Sequence, residues 1–379
     1  MITIEEFKAE FQDREGIQFN NAGMAPISQR VALKLARSVT ELQRLGSLVD
    51  AVWVPEIKVS RERIAAFLDA KPGEVALAQN CAVALSQAAF GYPLKPGDQV
   101  VTLDQEYASN YYPWKVACER SGASLITVQS ESNQQVNLEK LISAIRPGVK
   151  LVALSWVQFQ TGALIDLQQI GERCHSVGAF FIVDAIQGLG QLPFSFAQLP
   201  VDFVAGGSHK WTCSINGQGF FAVKPELSAL LQPIAVGSGT FNRFGTFADL
   251  NSPMEKSARR FEPGGLGYLP LFALNEALSL QMEVGLSVIA QEIANLSQRF
   301  RQGLHAFGNN GVELMSPLEQ AGGITSFKLS IAAEAKFLGR CRDEQIAMVK
   351  RGKFIRAAIH AFNREEEVDQ VLSAIASSL

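Results

Sequence analysis

The sequence predicts an α/β protein: a large unit with a mostly parallel, seven-stranded-type sheet between helices, followed by a smaller C-terminal α+β unit. Three observations carry this expectation. Apolar runs of strand length alternate with amphipathic runs of helix length over the first two-thirds of the chain. Several of the strand runs are apolar nearly throughout, as strands covered on both faces are. After Pro253 the alternation gives way to a long helical stretch followed by short strands.

The helices read in order as 54–68, 82–90, 112–121, 138–145 and 167–176. The strands between them are short and rich in β-branched residues: 75–77, 99–103, 124–128, 150–156, 179–183, 203–205 and 219–223. A helical stretch then covers 271–307, with Gly285 marking a break. It is followed by strands at 312–315, 325–329, 346–350 and 354–359 and a last helix at 365–377. The Pro- and Gly-rich segment 253–267 marks a boundary, giving a large domain over 15–255 and a small one over 256–379. Segment 1–14 is expected to pack on the small domain.

A chain of 379 residues holds two or three domains of ordinary size. Its 47% apolar and 19% charged residues are globular usage, which argues against a disordered chain. Thirty-four Lys and Arg against 37 Asp and Glu leave a net charge of −3 with no polybasic block, so nucleic acid or a membrane surface has no electrostatic support as a partner. No run of 18 apolar residues predicts a membrane span, and the charged N-terminus lacks the apolar core of a signal peptide. Five scattered cysteines with no CxxC pair read as reduced thiols in the cytoplasm. With four histidines and no HExxH, no metal site is expected.

Chemistry concentrates in AFFIVDAIQGLGQLPFSFAQLPVDFVAGGSHKW. An apolar strand ends at Asp184, and ligands collect outside the carboxyl ends of parallel strands. The plain alternative is an aspartate that caps the next turn. Twenty-six residues later Lys210 follows another apolar strand through what reads as a Gly-Gly-Ser turn. A lysine desolvated there loses its proton more readily and becomes a nucleophile; an ordinary solvated lysine is the alternative. Together the two fit pyridoxal phosphate, which forms a Schiff base with a lysine and needs an acidic partner for its ring nitrogen. Gln187 stands within reach of the cofactor's phenolic oxygen. At AQNCAVALSQAAF, residues Asn80, Cys81 and Ala82 open a helix whose N–H groups suit a phosphate, although Asn80 also reads as a simple cap.

VDAIQ followed by GGSHKW resembles the class V aminotransferase and cysteine desulfurase group of fold-type I pyridoxal-phosphate enzymes. The resemblance runs from Phe19-Asn20-Asn21-Ala22-Gly23 to Phe362-Asn363. It implies that Asp184 pairs with the pyridine nitrogen, Gln187 with the phenolic oxygen, and that His209 helps hold the phosphate beside Lys210. Tyr107, after Glu106, falls where the family stacks an aromatic or histidine ring on the cofactor. Arg356, in a strand of alternating pattern, falls where the family binds the substrate carboxylate, the two-pronged contact to which a guanidinium is suited. Asn21 and Gln158 fall where relatives line the substrate pocket. The resemblance further implies a homodimer in which Arg260 and Gly265 contact the partner subunit.

The sequence departs from the family at the phosphate end. Cys81 and Ala82 replace two frequent hydroxyl residues. Gly207 replaces a serine, for which adjacent Ser208 is a substitute donor, and Gly265 stands where a partner subunit often contributes a threonine.

The resemblance implies chemistry at Cα of a small α-amino acid, with Lys210 as the base. An aminotransferase-like reaction is the leading expectation. A carbon–sulfur lyase or cysteine desulfurase-like reaction on a sulfur amino acid, or an epimerase-like one, is the alternative. Cys341, fifteen residues before Arg356, invites comparison with the desulfurase thiol, but the surrounding residues read as a helix feeding a strand rather than as a loop. A protein that keeps the fold and has lost the chemistry is the reading from another class; it would need none of Lys210, Asp184, Gln187 and Arg356.

Overall fold

Seven apolar segments pair into the central sheet: β1 (Val75–Ala78), β2 (Gln99–Leu103), β3 (Ser124–Val128), β4 (Val149–Ser155), β5 (Phe180–Asp184), β6 (Phe203–Gly207) and β7 (Gly219–Val223). The computed structural model describes residues 2–131, 134–241, 250–265, 267–318 and 322–379. The sheet order is β1-β7-β6-β5-β4-β2-β3. Only β7 runs against its neighbours, which leaves a mostly parallel sheet as expected. The strands β5, β6 and β7 are buried at nearly every position, because helices cover both faces.

The order reverses between β2 and β4, which lie side by side although β3 intervenes in sequence. The carboxyl ends of these parallel strands gather Glu106, Ser155, Asp184 and, past β6, Lys210 along one edge of the sheet. That edge is where open α/β sheets hold ligands.

Several boundaries differ from those read in the sequence. Gly206 and Gly207 belong to β6 rather than to a turn, because antiparallel β7 pairs them with Phe220 and Gly219. A Cβ on Gly206 would stand 2.7 Å from the Phe220 ring, so this stretch of strand requires glycine. The helix expected at 112–121 starts at Ala108, with Pro113 inside it. The strand expected at 346–350 is two pieces in different sheets: Ile346–Ala347 pairs with Ile17–Gln18, and Val349–Arg351 pairs with Phe354–Ala358. The helices Ile4–Ala9, Gln29–Leu45 and Pro225–Leu230 were not read from the sequence. The first and last are only six residues long, too short for an apolar repeat to stand out.

Gly285, at φ 96°, breaks the long helical stretch into Tyr268–Val284 and Leu286–Ala306. The first piece buries Leu271, Leu274 and Leu278 in the core of the large sheet. Beyond it, β8 (Glu313–Leu314), β9 (Ile324–Lys328), β10 (Val349–Arg351) and β11 (Phe354–Ala358) form an antiparallel sheet ordered β10-β11-β9-β8. Phe300, Phe327, Phe337, Ile355, Val368 and Val371 fill a separate core between this sheet and its helices.

The N-terminal segment joins the two cores. Phe11 stacks on Phe362 with centroids 4.6 Å apart, and both lie in the large core, while Arg14 pairs with Glu367 of the last helix at 2.6 Å. Among the described residues no helix is long and apolar enough to cross a membrane, and no group of three His, Cys, Asp or Glu is placed to hold a metal ion.

Candidate active site

A cavity of about 270 Å³ opens at the carboxyl edge of the large sheet, closed on its far side by the β10–β11 hairpin. The structure brings to it Asn80, Cys81, Ala82, Tyr107, Asp184, Gln187, His209, Lys210 and Arg356, residues scattered over most of the chain. Ala22, Gly23, Ser109, Phe159, Ile186 and Arg351, which the sequence did not single out, also line it.

Asp184 ends β5 and is 2% exposed. Its Oδ1 accepts from the Ile186 N–H at 3.0 Å and from the Cys81 thiol at 3.4 Å. Its Oδ2 makes no hydrogen bond to a described residue. Burial raises its pKa, opposed by the Ile186 N–H, the Lys210 charge and the Cys81 thiol. Burial also holds Cys81 well above the usual thiol range, so it is the protonated donor.

Lys210 is 9% exposed, and its amine makes no hydrogen bond or ion pair to a described residue. Burial pulls its pKa down to about 8, although Asp184 works the other way. The amine is therefore uncharged in part near neutral pH. It lies 5.6 Å from the Tyr107 ring centroid. His209 beside it is held by burial at about 4, so the imidazole is neutral and offers one N–H.

Gln187 is locked at both ends of its amide. Its Oε1 accepts from Trp211 Nε1 at 2.8 Å, and its Nε2 donates to the Ala22 carbonyl at 3.1 Å. It thereby fastens the N-terminal segment to the loop after β5.

The helix Cys81–Gly91 points its N-terminus at the cavity. Asn80 caps it, Oδ1 accepting from the Val83 N–H at 2.9 Å. Gly219 admits this approach, since a Cβ there would stand 2.3 Å from the Asn80 backbone. The N–H groups of Cys81 and Ala82 make no hydrogen bond to a described residue. They form an anion cradle of the kind a phosphate requires.

Arg356, on β11, is 1% exposed. Nη1 donates to the Phe159 carbonyl at 2.6 Å and Nη2 to Asn20 Oδ1 at 3.2 Å, while Nε has no partner. Both acceptors are neutral, so among the described residues this buried cation has no counter-ion. Its pKa falls to about 10, first through burial and then through the Arg351 charge.

Other expected site residues are engaged elsewhere. The Asn21 Nδ2 donates to the carbonyls of Ala358 and Gln18, at 2.7 and 2.9 Å, which ties the N-terminal segment to β11. Gln158 donates to Glu106 Oε1 at 3.0 Å. Glu106 is a buried carboxylate that also accepts from Ser155 and Asn110. It holds the base of the Tyr107 loop, and its position one residue before an expected site residue was the signal available for it. The Ser208 hydroxyl donates to the Ile215 carbonyl, a bond it would have to give up to act as a phosphate donor. Arg260 bonds to Ser228 and to the Lys256 carbonyl, and Gly265 lines a separate cavity of about 210 Å³. Cys341 lies in the helix Ile331–Asp343, packed in the small core with Phe337, its thiol pushed up to about 11 by burial.

A parallel sheet with a lysine, an aspartate and an anion cradle at its carboxyl edge defines a class of cofactor enzyme, and comparison with known proteins names the family. The family profile Aminotransferase class-V matches residues 21–371. The chain belongs to the class V aminotransferase family and is a pyridoxal-phosphate-dependent enzyme of the aminotransferase or related lyase type. It is 26% identical over 332 residues to a probable cysteine desulfurase of Methanothermobacter thermautotrophicus, covering 83% of this chain and 81% of that one. It is 27% identical over 376 residues to an isopenicillin N epimerase of Amycolatopsis lactamdurans, covering 92% and 91%. Its fold matches the cystine C–S lyase C-DES bound to cysteine persulfide, with a TM-score of 0.88, 21% identity and coverage of 96% and 97%. A form of C-DES with glycine linked to its cofactor gives 0.90, with 20% identity and coverage of 97% and 98%.

Proposed function

We propose that the enzyme acts at Cα of a small α-amino acid as an aminotransferase, with Arg356 binding the substrate carboxylate. The observation that carries this reading is the buried Arg356 guanidinium, which has only neutral partners among the described residues and lines the same cavity as Lys210 and Asp184. A substrate carboxylate supplies the missing counter-ion in the two-pronged geometry that guanidinium groups favour.

The donor set fits pyridoxal phosphate. The N–H groups of Cys81 and Ala82, with His209, would hold the phosphate. The Asp184 Oδ2 would take the ring N–H, a positive group that offsets the burial of this carboxylate. Gln187 and Tyr107 would face the ring from the loops after β5 and β2. When bound, the cofactor supplies an aldehyde that carries the substrate amine and a ring that withdraws electrons from Cα. Lys210 would hold that aldehyde through its amine, and the same uncharged amine, when free, would take the proton from Cα and return it to the carbon where the product requires it.

A carbon–sulfur lyase is the second reading, favoured by the relatives named cysteine desulfurases and by the likeness to C-DES. It shares every residue role up to removal of the Cα proton. In either reading Cys341 is packing rather than chemistry, since it faces the small core and does not line the cavity. Cys341→Ser should leave kcat/KM for L-cysteine and L-alanine within about twofold, because the thiol lies in the small core away from the cavity and its loss acts on packing. A loss of cysteine turnover alone would return the thiol to the mechanism.

The absorption spectrum tests the reading directly. The holoenzyme band should shift on adding one or more L-amino acids, and conversion to the pyridoxamine form would favour transamination over elimination. Because the Lys210 pKa is lowered to about 8, its free amine accumulates as pH rises through 8. Recombination of the stripped protein with cofactor should therefore accelerate up to about pH 8 and level off above it. Continued acceleration towards pH 10 would mean that burial does not set the reactivity of this lysine.

A homodimer, with Arg260 and Gly265 near the partner subunit, and a cytoplasmic location belong to the same proposal. The family relationship supports the first, and five buried free cysteines support the second.

A further inference from the structure

The cavity holds more positive charge than the proposed function uses. Among the described residues, Lys210, Arg351 and Arg356 line it against a single carboxylate, Asp184. Arg351 has no role in the reading above, which assigns the cofactor phosphate to Cys81, Ala82 and His209 and the α-carboxylate to Arg356.

Strand register fixes the relation of the two arginines. β10 and β11 form a hairpin across the two-residue turn Gly352–Lys353, with Gly352 at φ 59°. Val349 pairs with Arg356, and Arg351 pairs with Phe354. Side chains two apart on a strand share a face, so Arg351 and Arg356 project from the same face as diagonal neighbours. Such neighbours stand about 7 Å apart. Arg356 is at the buried end, and Arg351 is exposed at the mouth.

Arg351 makes no hydrogen bond or ion pair to a described residue. The adjacent Lys350 is paired with Glu334 of the helix Ile331–Asp343, and Lys328 of β9 with Glu313 of β8, so these two acids are engaged elsewhere. The Arg351 charge is felt in the cavity, where it lowers the pKa of both Arg356 and Lys210. Like charges directly opposite one another destabilise a strand pair, and diagonal neighbours repel more weakly in the same sense, a repulsion that an anion between them relieves.

We propose that Arg351 is a specificity residue that receives a second acidic group, so that the preferred substrates are amino acids bearing two acid groups. The α-carboxylate meets Arg356 at the base of the cavity and the distal acid meets Arg351 at its mouth. This rests on the function proposed above and narrows its substrate class.

The test uses the holoenzyme and its Arg351→Gln and Arg351→Lys variants. L-Aspartate, L-glutamate and L-cystine carry two acid groups; L-alanine and L-cysteine carry one. Wild-type kcat/KM should favour at least one two-acid substrate over both one-acid substrates by tenfold or more. Arg351→Gln should lose at least tenfold on that substrate and less than twofold on L-alanine or L-cysteine, and Arg351→Lys should recover part of the loss. Inhibition by succinate and glutarate, compared with propionate and butyrate, should follow the same pattern without chemistry. Equal losses on both substrate groups would overturn the proposal, as would a wild-type enzyme indifferent to the second acid. Weaker retention of pyridoxal phosphate by Arg351→Gln would overturn it by assigning the guanidinium to the cofactor. Turnover of one-acid substrates without preference defeats only this inference. A band that no amino acid perturbs defeats the proposed function as well.

Discussion

Lys210→Ala abolishes turnover while leaving the protein folded. The expected loss in kcat is about 10⁴-fold or more, because under the proposed function one side chain supplies both the amine that holds the cofactor and the base at Cα. The fold should tolerate the change for a structural reason. The Lys210 amine makes no hydrogen bond or ion pair to a described residue, so truncation orphans no buried partner. It also removes a desolvated amine, which is itself unfavourable in this cavity. The melting temperature of the stripped protein should therefore shift by only a few degrees. The variant should still bind cofactor through its phosphate and ring contacts, but without the covalent absorption band. A small primary amine added to the assay should restore part of the activity, since it replaces the missing base. Full activity in the variant would remove Lys210 from its assigned role. Loss of the folded state would show instead that the lysine has a structural duty that the hydrogen bonds do not record.

The sheet was legible because its strands announce themselves. Runs such as 99–103, 124–128 and 219–223 are short, apolar and bounded by turn residues, and the observed strands coincide with them. The boundaries that slipped are those set by a partner. Gly206 and Gly207 carry turn composition, yet β7 pairs with them and makes them strand. The segment 346–350 reads as one strand, but its two halves answer to different neighbours.

The meeting of Asp184 and Lys210 at the sheet edge was legible for a related reason. Asp184 and Lys210 stand just beyond apolar strands, and strand ends converge in a parallel sheet. Hydrogen-bond assignment was not legible. Asn21, Gln158 and Ser208 have the right residue types near the right segments, but their donors are committed to Ala358, Glu106 and Ile215. Arg351 escaped notice because its relation to Arg356 is cross-strand. Only the register of a hairpin brings those two residues to one face.

Arg356→Gln should raise KM for every productive amino acid far more than it lowers kcat, with kcat/KM falling by about 10²–10³-fold. Removing one partner of a desolvated charge pair typically costs about 2–5 kcal/mol, and the middle of that range corresponds to this factor. The split between KM and kcat follows from position. The guanidinium is fixed by the Phe159 carbonyl and Asn20 rather than by the residues around Lys210, so it acts on binding more than on proton transfer. Glutamine keeps a donor for the Phe159 carbonyl and most of the side-chain volume, which limits collapse of the hairpin onto the cavity. The unliganded variant should lose no stability and is expected to gain some, because wild type buries a cation with no counter-ion among the described residues and glutamine does not. A higher melting temperature together with a higher KM would be the signature of a residue held under electrostatic strain for substrate. Unchanged KM across the amino-acid panel would show that the carboxylate binds elsewhere, and Arg351, five residues earlier on the same hairpin face, would be the first place to look.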